Sequence, residues 1–174
     1  NQRIGVDAAN IGSVTQSGGS NTVDQALTIN SGSSYTHDGG DNTAATLNIN
    51  AGGSYTLNGG TLSADTTNNS GVMSVADVMN VAATAVYNLL SDGQLSSNRL
   101  DVDGAMSQEV NSSNSVTTEL NINDTASYSQ TGGSNTAGTV NINTGATYGI
   151  SGGSLLATDI NVAGALNQSA AASV

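Results

Sequence analysis

Apolar residues recur along this chain in short two-step phrases. Each opens on an apolar side chain, at Leu27, Leu47, Met79, Leu100, Leu120, Val140 and Ile160, and repeats one two residues later, at Ile29, Ile49, Val81, Val102, Ile122, Ile142 and Val162, with a polar residue between. Alternation of period two predicts a strand with one buried face. The openings are spaced 20, 32, 21, 20, 20 and 20 residues apart, so the strand belongs to an internal repeat.

A second strand follows in each repeat. Eight residues after five of the openings stand Tyr35, Tyr55, Tyr87, Tyr128 and Tyr148, which are all the tyrosines of the sequence; in the other two repeats the same count reaches Gln108 and Gln168. Small or apolar residues lie two before each tyrosine and mostly polar ones beside it, which places the tyrosine column inward as a structural stack. An outward tyrosine ladder is the alternative. Glycine pairs at 39–40, 59–60, 132–133 and 152–153 then mark corners. Past them the repeats divide into two dialects, one with Leu62 and Leu155, the other with Asn42 and Asn135, and an alanine column through Ala44, Ala64, Ala137 and Ala157 predicts a third side. The expected fold is all-β: a parallel β-solenoid, right-handed and three-sided, with about 20 residues per rung and about 4.8 Å between stacked strands.

One domain, 1–174, accommodates the pattern, with an atypical first rung at 4–26, regular rungs at 27–65 and 79–159, and an incomplete last rung at 160–174. The stretch 66–78 breaks the period and reads either as a shortened rung or as a rung bearing a 12-residue loop. Stacking would also align asparagines. Asn48, Asn121, Asn141 and Asn161 are expected in one column and Asn30, Asn50, Asn123 and Asn143 in another, where amides can both donate and accept. Absence of proline fits strands that have neighbours on both sides.

Gly, Ser, Thr and Asn richness with few charges also describes disordered chain, and it is the periodicity that argues for a fold. Two arginines against 13 acidic residues leave a net charge of -11, which disfavours nucleic acid as a partner. No stretch is apolar for long enough to insert in a membrane as a helix. There is no cysteine, so no disulfide and no thiolate metal site.

Candidate chemistry is sparse, and no enzyme is expected. Asp101 and Asp103 project from one strand beside Asn80, Asn121 and Asn123, a weak calcium-binding pattern, but no lysine exists to act as a base, and Arg99 falls at a corner. The single histidine, His37, sits at a corner with no partner for catalysis in view, so a structural or exposed role is expected. No cofactor is implied.

LNINAGGSYTLNGGTLSAD and VNINTGATYGISGGSLLATDINVAGAL resemble the repeats of bacterial surface β-solenoids of the autotransporter-passenger and filamentous-haemagglutinin type, including the glycine-rich autotransporter-associated β-strand repeats. The resemblance covers most of 27–168. It implies export, an extracellular or cell-surface location in a bacterium, and adhesive, matrix or scaffold roles. Asn1 in place of Met suits a processed export product or a piece of a longer chain. Since Asn1, Gln2 and Arg3, laid after Val174, would nearly complete the last rung, the expected assembly ends are Asn1, Gln2, Arg3 and Ile4 at one end and Ile160, Val162 and Val174 at the other. The reading that follows is a structural subunit of a fibre, matrix or surface layer, a head-to-tail homopolymer. The alternative is a surface adhesin or glycan-binding segment.

Overall fold

The computed structural model describes residues 2–5, 11–169 and 172–174, and every regular element in them is a β-strand. The first nine are β1 (Gln2–Ile4), β2 (Ser13–Gln16), β3 (Ser20–Ile29), β4 (Ser34–His37), β5 (Asp41–Ile49), β6 (Ser54–Leu57), β7 (Thr61–Asn69), β8 (Val72–Val81) and β9 (Val86–Leu89). The second nine are β10 (Gln94–Val102), β11 (Ala105–Gln108), β12 (Ser113–Ile122), β13 (Ser127–Gln130), β14 (Ser134–Ile142), β15 (Thr147–Ile150), β16 (Gly153–Val162), β17 (Ala165–Gln168) and β18 (Ala172–Ser173). Odd-numbered strands from β1 to β17 stack into one nine-stranded sheet and even-numbered ones from β2 to β18 into another. All pairings are parallel. The chain is therefore a β-solenoid, and its alternating positions face a continuous interior of leucine, isoleucine, valine, methionine and tyrosine.

Most rungs combine one long strand of nine or ten residues with one short strand of four. The long strands shift register near their midpoints, between Val23 and Ala26, Ser97 and Arg99, and Val116 and Glu119. A bulge of this kind bends a strand. The third side expected from the alanine column is thus the first half of the long strand, joined through the bend to the LNIN-like half.

Glycine pairs make the tight corners between short and long strands. The second glycine takes positive φ, 85° at Gly40 and 80° at Gly60, and a Cβ on Gly60 would lie 2.2 Å from the Gly40 carbonyl oxygen one rung below. Both the dihedral and the spacing between rungs exclude a side chain there.

The irregular stretch 66–78 is a rung and not a loop. Thr66–Asn69 lies on Thr46–Ile49, and Val72–Val75 lies on Ser54–Leu57, each in full register. What this stretch lacks is a separate short strand: Val72–Val75, which lies on the short strand β6, is also the first half of β8, so two long strands, β7 and β8, follow one another. The long strands consequently change sheets, from the odd-numbered sheet before this point to the even-numbered sheet after it. The coil itself does not stutter. Along the odd-numbered sheet Leu27, Leu47, Thr67, Tyr87, Met106, Tyr128, Tyr148 and Leu166 lie one above another. The gap of 32 in the sequence is thus a change in which side carries which motif.

This phase change corrects two expected columns. The tyrosines do point inward, but Tyr35 and Tyr55 stack in the even-numbered sheet, 5.2 Å apart, while Tyr128 and Tyr148 stack in the odd-numbered sheet, 4.6 Å apart. Tyr87 is separated from Tyr128 by Met106. Gln108 and Gln168 are not in the tyrosine column. A two-residue turn at 103–104, where the turns at 82–85, 123–126 and 143–146 have four, puts Met106 opposite Tyr128 and Gln108 opposite Gln130; after the two-residue turn at 163–164, Leu166 opposes Tyr148 in the same way.

Substituting Gly60→Ala is expected to lower stability by at least about 2 kcal/mol, from the left-handed strain and the inter-rung clash together, as read by urea denaturation. In hydrogen exchange, residues 61–65 and 76–81, which have a ladder neighbour on one edge only, are expected to exchange about tenfold faster than their doubly paired counterparts at 41–44 and 99–102.

Candidate functional site

Tyrosine hydroxyls buried among aliphatic side chains need hydrogen-bond partners, and the rung below supplies them as a set. Tyr35 donates to Gln16 Oε1 (2.5 Å) and accepts from Asn21 Nδ2 (3.3 Å). Tyr128 uses Gln108 (2.6 Å) and Asn114 (3.2 Å), and Tyr148 uses Gln130 (2.7 Å) and Asn135 (2.6 Å). The glutamine amide then donates to a backbone carbonyl at the following corner, as Gln108 Nε2 does to Ser134 (2.8 Å) and Gln130 Nε2 to Ser154 (2.9 Å).

His37 fills the glutamine position under Tyr55. Its Nε2 lies 3.2 Å from the Gly40 carbonyl, which can only accept, so Nε2 carries the proton and Nδ1 accepts from the Tyr55 hydroxyl at 2.9 Å. Asn42 completes the set at 3.3 Å. The ring is fully buried with both nitrogens engaged, which makes His37 a structural stand-in for glutamine.

The two dialects follow from these sets. Where the rung above brings a side chain without a hydroxyl, the set below is apolar: Leu57 and Leu62 precede Met73, Leu89 and Leu95 precede Met106, and Ile150 and Leu155 precede Leu166. Coupling between the residue two after the tyrosine column and the one just past the glycine corner is a signal in the sequence that could have found these sets, but the reading of the sequence takes in only the second position, and only register shows which rung it serves. At the phase change Asn69 donates to the Tyr87 hydroxyl (3.0 Å) and the Gln94 carbonyl (2.8 Å), and that hydroxyl donates in turn to the Met73 sulfur (3.6 Å). Among the described residues two buried side-chain polar atoms are left without partners. Asn114 Oδ1 lies above Leu95, and Ser97 Oγ lies between Val75 and Val116.

Outside, amide ladders run along both sheets, each amide donating to the rung before it. In the even-numbered sheet Asn161 donates to Asn141 (2.9 Å), Asn141 to Asn121 (2.7 Å) and Asn121 to Asp101 (2.8 Å); Asn143 donates to Asn123 (2.7 Å) and Asn123 to Asp103 (2.8 Å). In the odd-numbered sheet the ladder runs from Ser107 through Asn88, Asn68 and Asn48 to Thr28, crossing the phase change unbroken. Asn48 and Asn121 therefore belong to different columns, contrary to the sequence expectation, because the motif changed sheets between them.

Asp101 and Asp103 stand at the foot of their ladders, where an acceptor-only group suits a column whose amides all donate downward. Arg99 Nε lies 2.9 and 3.0 Å from the two Asp101 carboxylate oxygens, within the strand and not at a corner. Burial pushes the Asp101 carboxyl up, but the hydrogen bonds from Arg99 and Asn121 outweigh it and hold the group below the usual carboxylate range. Asp103 also accepts from Asn80 (3.3 Å). Both carboxylates are thus occupied by ladder and ion-pair partners, and among the described residues no three His, Asp or Glu side chains are grouped as a metal site requires.

Of the expected assembly ends, Gln2, Arg3 and Ile4 form β1, which pairs on one edge with Leu27–Ile29, and Asn1 lies outside the described residues. At the opposite end Val162 and Val174 are exposed and Ile160 is half-buried, whereas Val140 and Ile142, one rung earlier, are fully buried.

His37→Gln is expected to change stability by less than about 1 kcal/mol, and His37→Leu to cost about 1–3 kcal/mol by stranding the Tyr55 hydroxyl, both read from denaturant midpoints. Ser97→Val should stabilise by about 1 kcal/mol, since it removes an unpaired hydroxyl between two valines. Burial pushes all five tyrosines above their ordinary pKa. The folded state therefore keeps a proton that the unfolded state gives up near pH ~10. The tyrosines' stabilisation is complete below that pH and declines above it, so tyrosinate absorbance should rise together with loss of the β-sheet circular dichroism and not as a separate titration.

No family model, curated protein or solved structure matches this chain.

Proposed function

We propose that the protein is a structural subunit of an extracellular bacterial fibre, matrix or surface layer, extended end to end by further β-solenoid rungs from a second copy. The observation that carries this reading is the open rung at Gly153–Gln168. Leu155 at its start is buried under β18, but the edge beyond Ser154 and the upper edge of β17 have no partner among the described residues. Ile160, Val162 and Leu166 lose cover there that Val140, Ile142 and Tyr148 have in the rung beneath. A parallel ladder with an apolar face is a template for another rung.

The rest of the molecule supports a load-bearing role over a catalytic one. Most of its polar interior groups join rung to rung, and its outer amides run in ladders along the axis. Two basic side chains in 174 residues leave few sites for trypsin-like proteases, which suits an exposed exterior.

Negative-stain imaging of the purified chain over a range of concentrations tests the proposal. Rods that lengthen with concentration, in steps of about 40 Å for a stack of eight or nine rungs, are the expected outcome. Rods of constant length at every concentration would falsify self-extension, and binding to a glycan array by such rods would favour the adhesin.

A further inference from the structure

Each turn of the coil has three walls. The first is the column that begins with β1 and continues through 27–29, 47–49 and 67–69 to β17. The second runs from β2 through β4 and β6 to β18. The third follows the second in chain order, at 20–23, 41–44 and 61–64 below the phase change and from 78–81 to 159–162 above it. Leu62 and Ala64 line one narrow cavity with Met79 and Val81, which sets both parts on the same wall.

The phase change moves every motif by one wall. The LNIN-like phrase is on the first wall at 47–49 and on the third at 79–81, and the tyrosine strand is on the second wall at Tyr55 and on the first at Tyr87. The two ends of the molecule are therefore out of phase. At the bottom β1 holds the LNIN-like place on the first wall and β2 the tyrosine place on the second; at the top the same places are 160–162 on the third wall and β17 on the first.

This decides how a second copy fits. The coil reaches β18 on the second wall, so its next place is on the third, above 159–162. A copy set straight on top would lay β1 on β17 and leave that place vacant, because its own third-wall segment, 20–23, comes after β1 in the chain. Val162, 50% exposed, and half-buried Ile160 would stay uncovered. Laying β1 on β18 would leave two places vacant. Turned by one wall, the same end fits without a gap: β1 lies on 160–162, β2 on β17 and 20–23 on β18. Ile4 then covers Val162, Val14 covers Leu166, and Gln16 follows Gln168 as Gln130 follows Gln108.

Charge favours the same placement. Arg3 is exposed on β1, and turned it stands above Asn161, about 8 Å between Cα atoms from exposed Asp159, one ladder step down and two residues along. Asp159 has no ion-pair partner among the described residues. Set straight, Arg3 would stand above Asn167, beside Ala165, Thr147 and Gly149 and no carboxylate.

We propose that the partner of the open rung is the β1 end of a second copy turned by one wall, with Arg3 paired to Asp159. This rests on the end-to-end reading above and makes the fibre a screw in which every fourth copy repeats the orientation of the first. The phase change is its cause, since a solenoid whose two ends were in phase would stack straight.

The chain has no cysteine, so introduced pairs report the contact. Thr15→Cys with Asn167→Cys puts two thiols one ladder step apart, within disulfide reach, only in the turned docking, and Ser13→Cys with Ser173→Cys only in the straight one. Each pair joins opposite ends of the molecule and closes only between copies. Under mild oxidation of the rods the first pair is expected to give disulfide-linked oligomers and the second at least about tenfold fewer. Asp159→Arg should raise the concentration at which rods form several-fold, and adding Arg3→Asp should restore it, with far-UV circular dichroism checking that each variant is folded. Rods linked through the second pair, or through both alike, or rods indifferent to the charge reversal, would overturn the turned docking and leave end-to-end assembly standing. Particles of constant length linked through neither pair would overturn both.

Discussion

Every feature of this molecule depends on the requirement that each turn of the coil present its backbone donors and acceptors to the next at one ladder step. A strand bonded on both edges leaves no room for drift in rung length, and the interior column from Leu27 to Leu166 holds its level through seven successive turns although turn lengths differ. Variation is absorbed where the ladder is not involved, in the corners, as with the shortened turn before Met106. Glycines such as Gly60 are needed because at a corner the rung below is closer than any side chain would allow.

Within that constraint the interior is assembled from exchangeable parts. A tyrosine brings a hydroxyl into an aliphatic column, and the rung beneath answers with a glutamine or histidine and an asparagine, or under Tyr87 with Asn69; a methionine or leucine needs only leucine or isoleucine. Polar and apolar sets therefore alternate without disturbing the backbone. Unsatisfied atoms occur where one kind abuts the other, as Asn114 Oδ1 does above Leu95. The outer ladders follow related logic. Amides that all donate in one direction need a terminal acceptor, which is why the carboxylates of Asp101 and Asp103 are better understood as ladder ends than as ion ligands.

The phase change shows how a solenoid can alter its cross-section without breaking its axis. Omitting one short strand moves the long strands from one sheet to the other while Asn48, Asn68 and Asn88 continue their ladder across it. Backbone edges left open at 61–65 and 76–81 are the local cost.

Strand periodicity, rung length, glycine corners and inward tyrosines were legible from the sequence, because each is a local pattern repeated at a spacing the ladder enforces. Register was not. Counting from the LNIN-like phrases placed Gln108 with the tyrosines and joined Asn48 to Asn121 in one column, since a shortened turn and a missing segment look alike in a linear count. Which glutamine answers which tyrosine, what His37 is for, and where the wall stands open were decided only by the stacking of rungs, because hydrogen bonding between turns relates residues about 20 positions apart and depends on where each strand lies, not on its place in the chain.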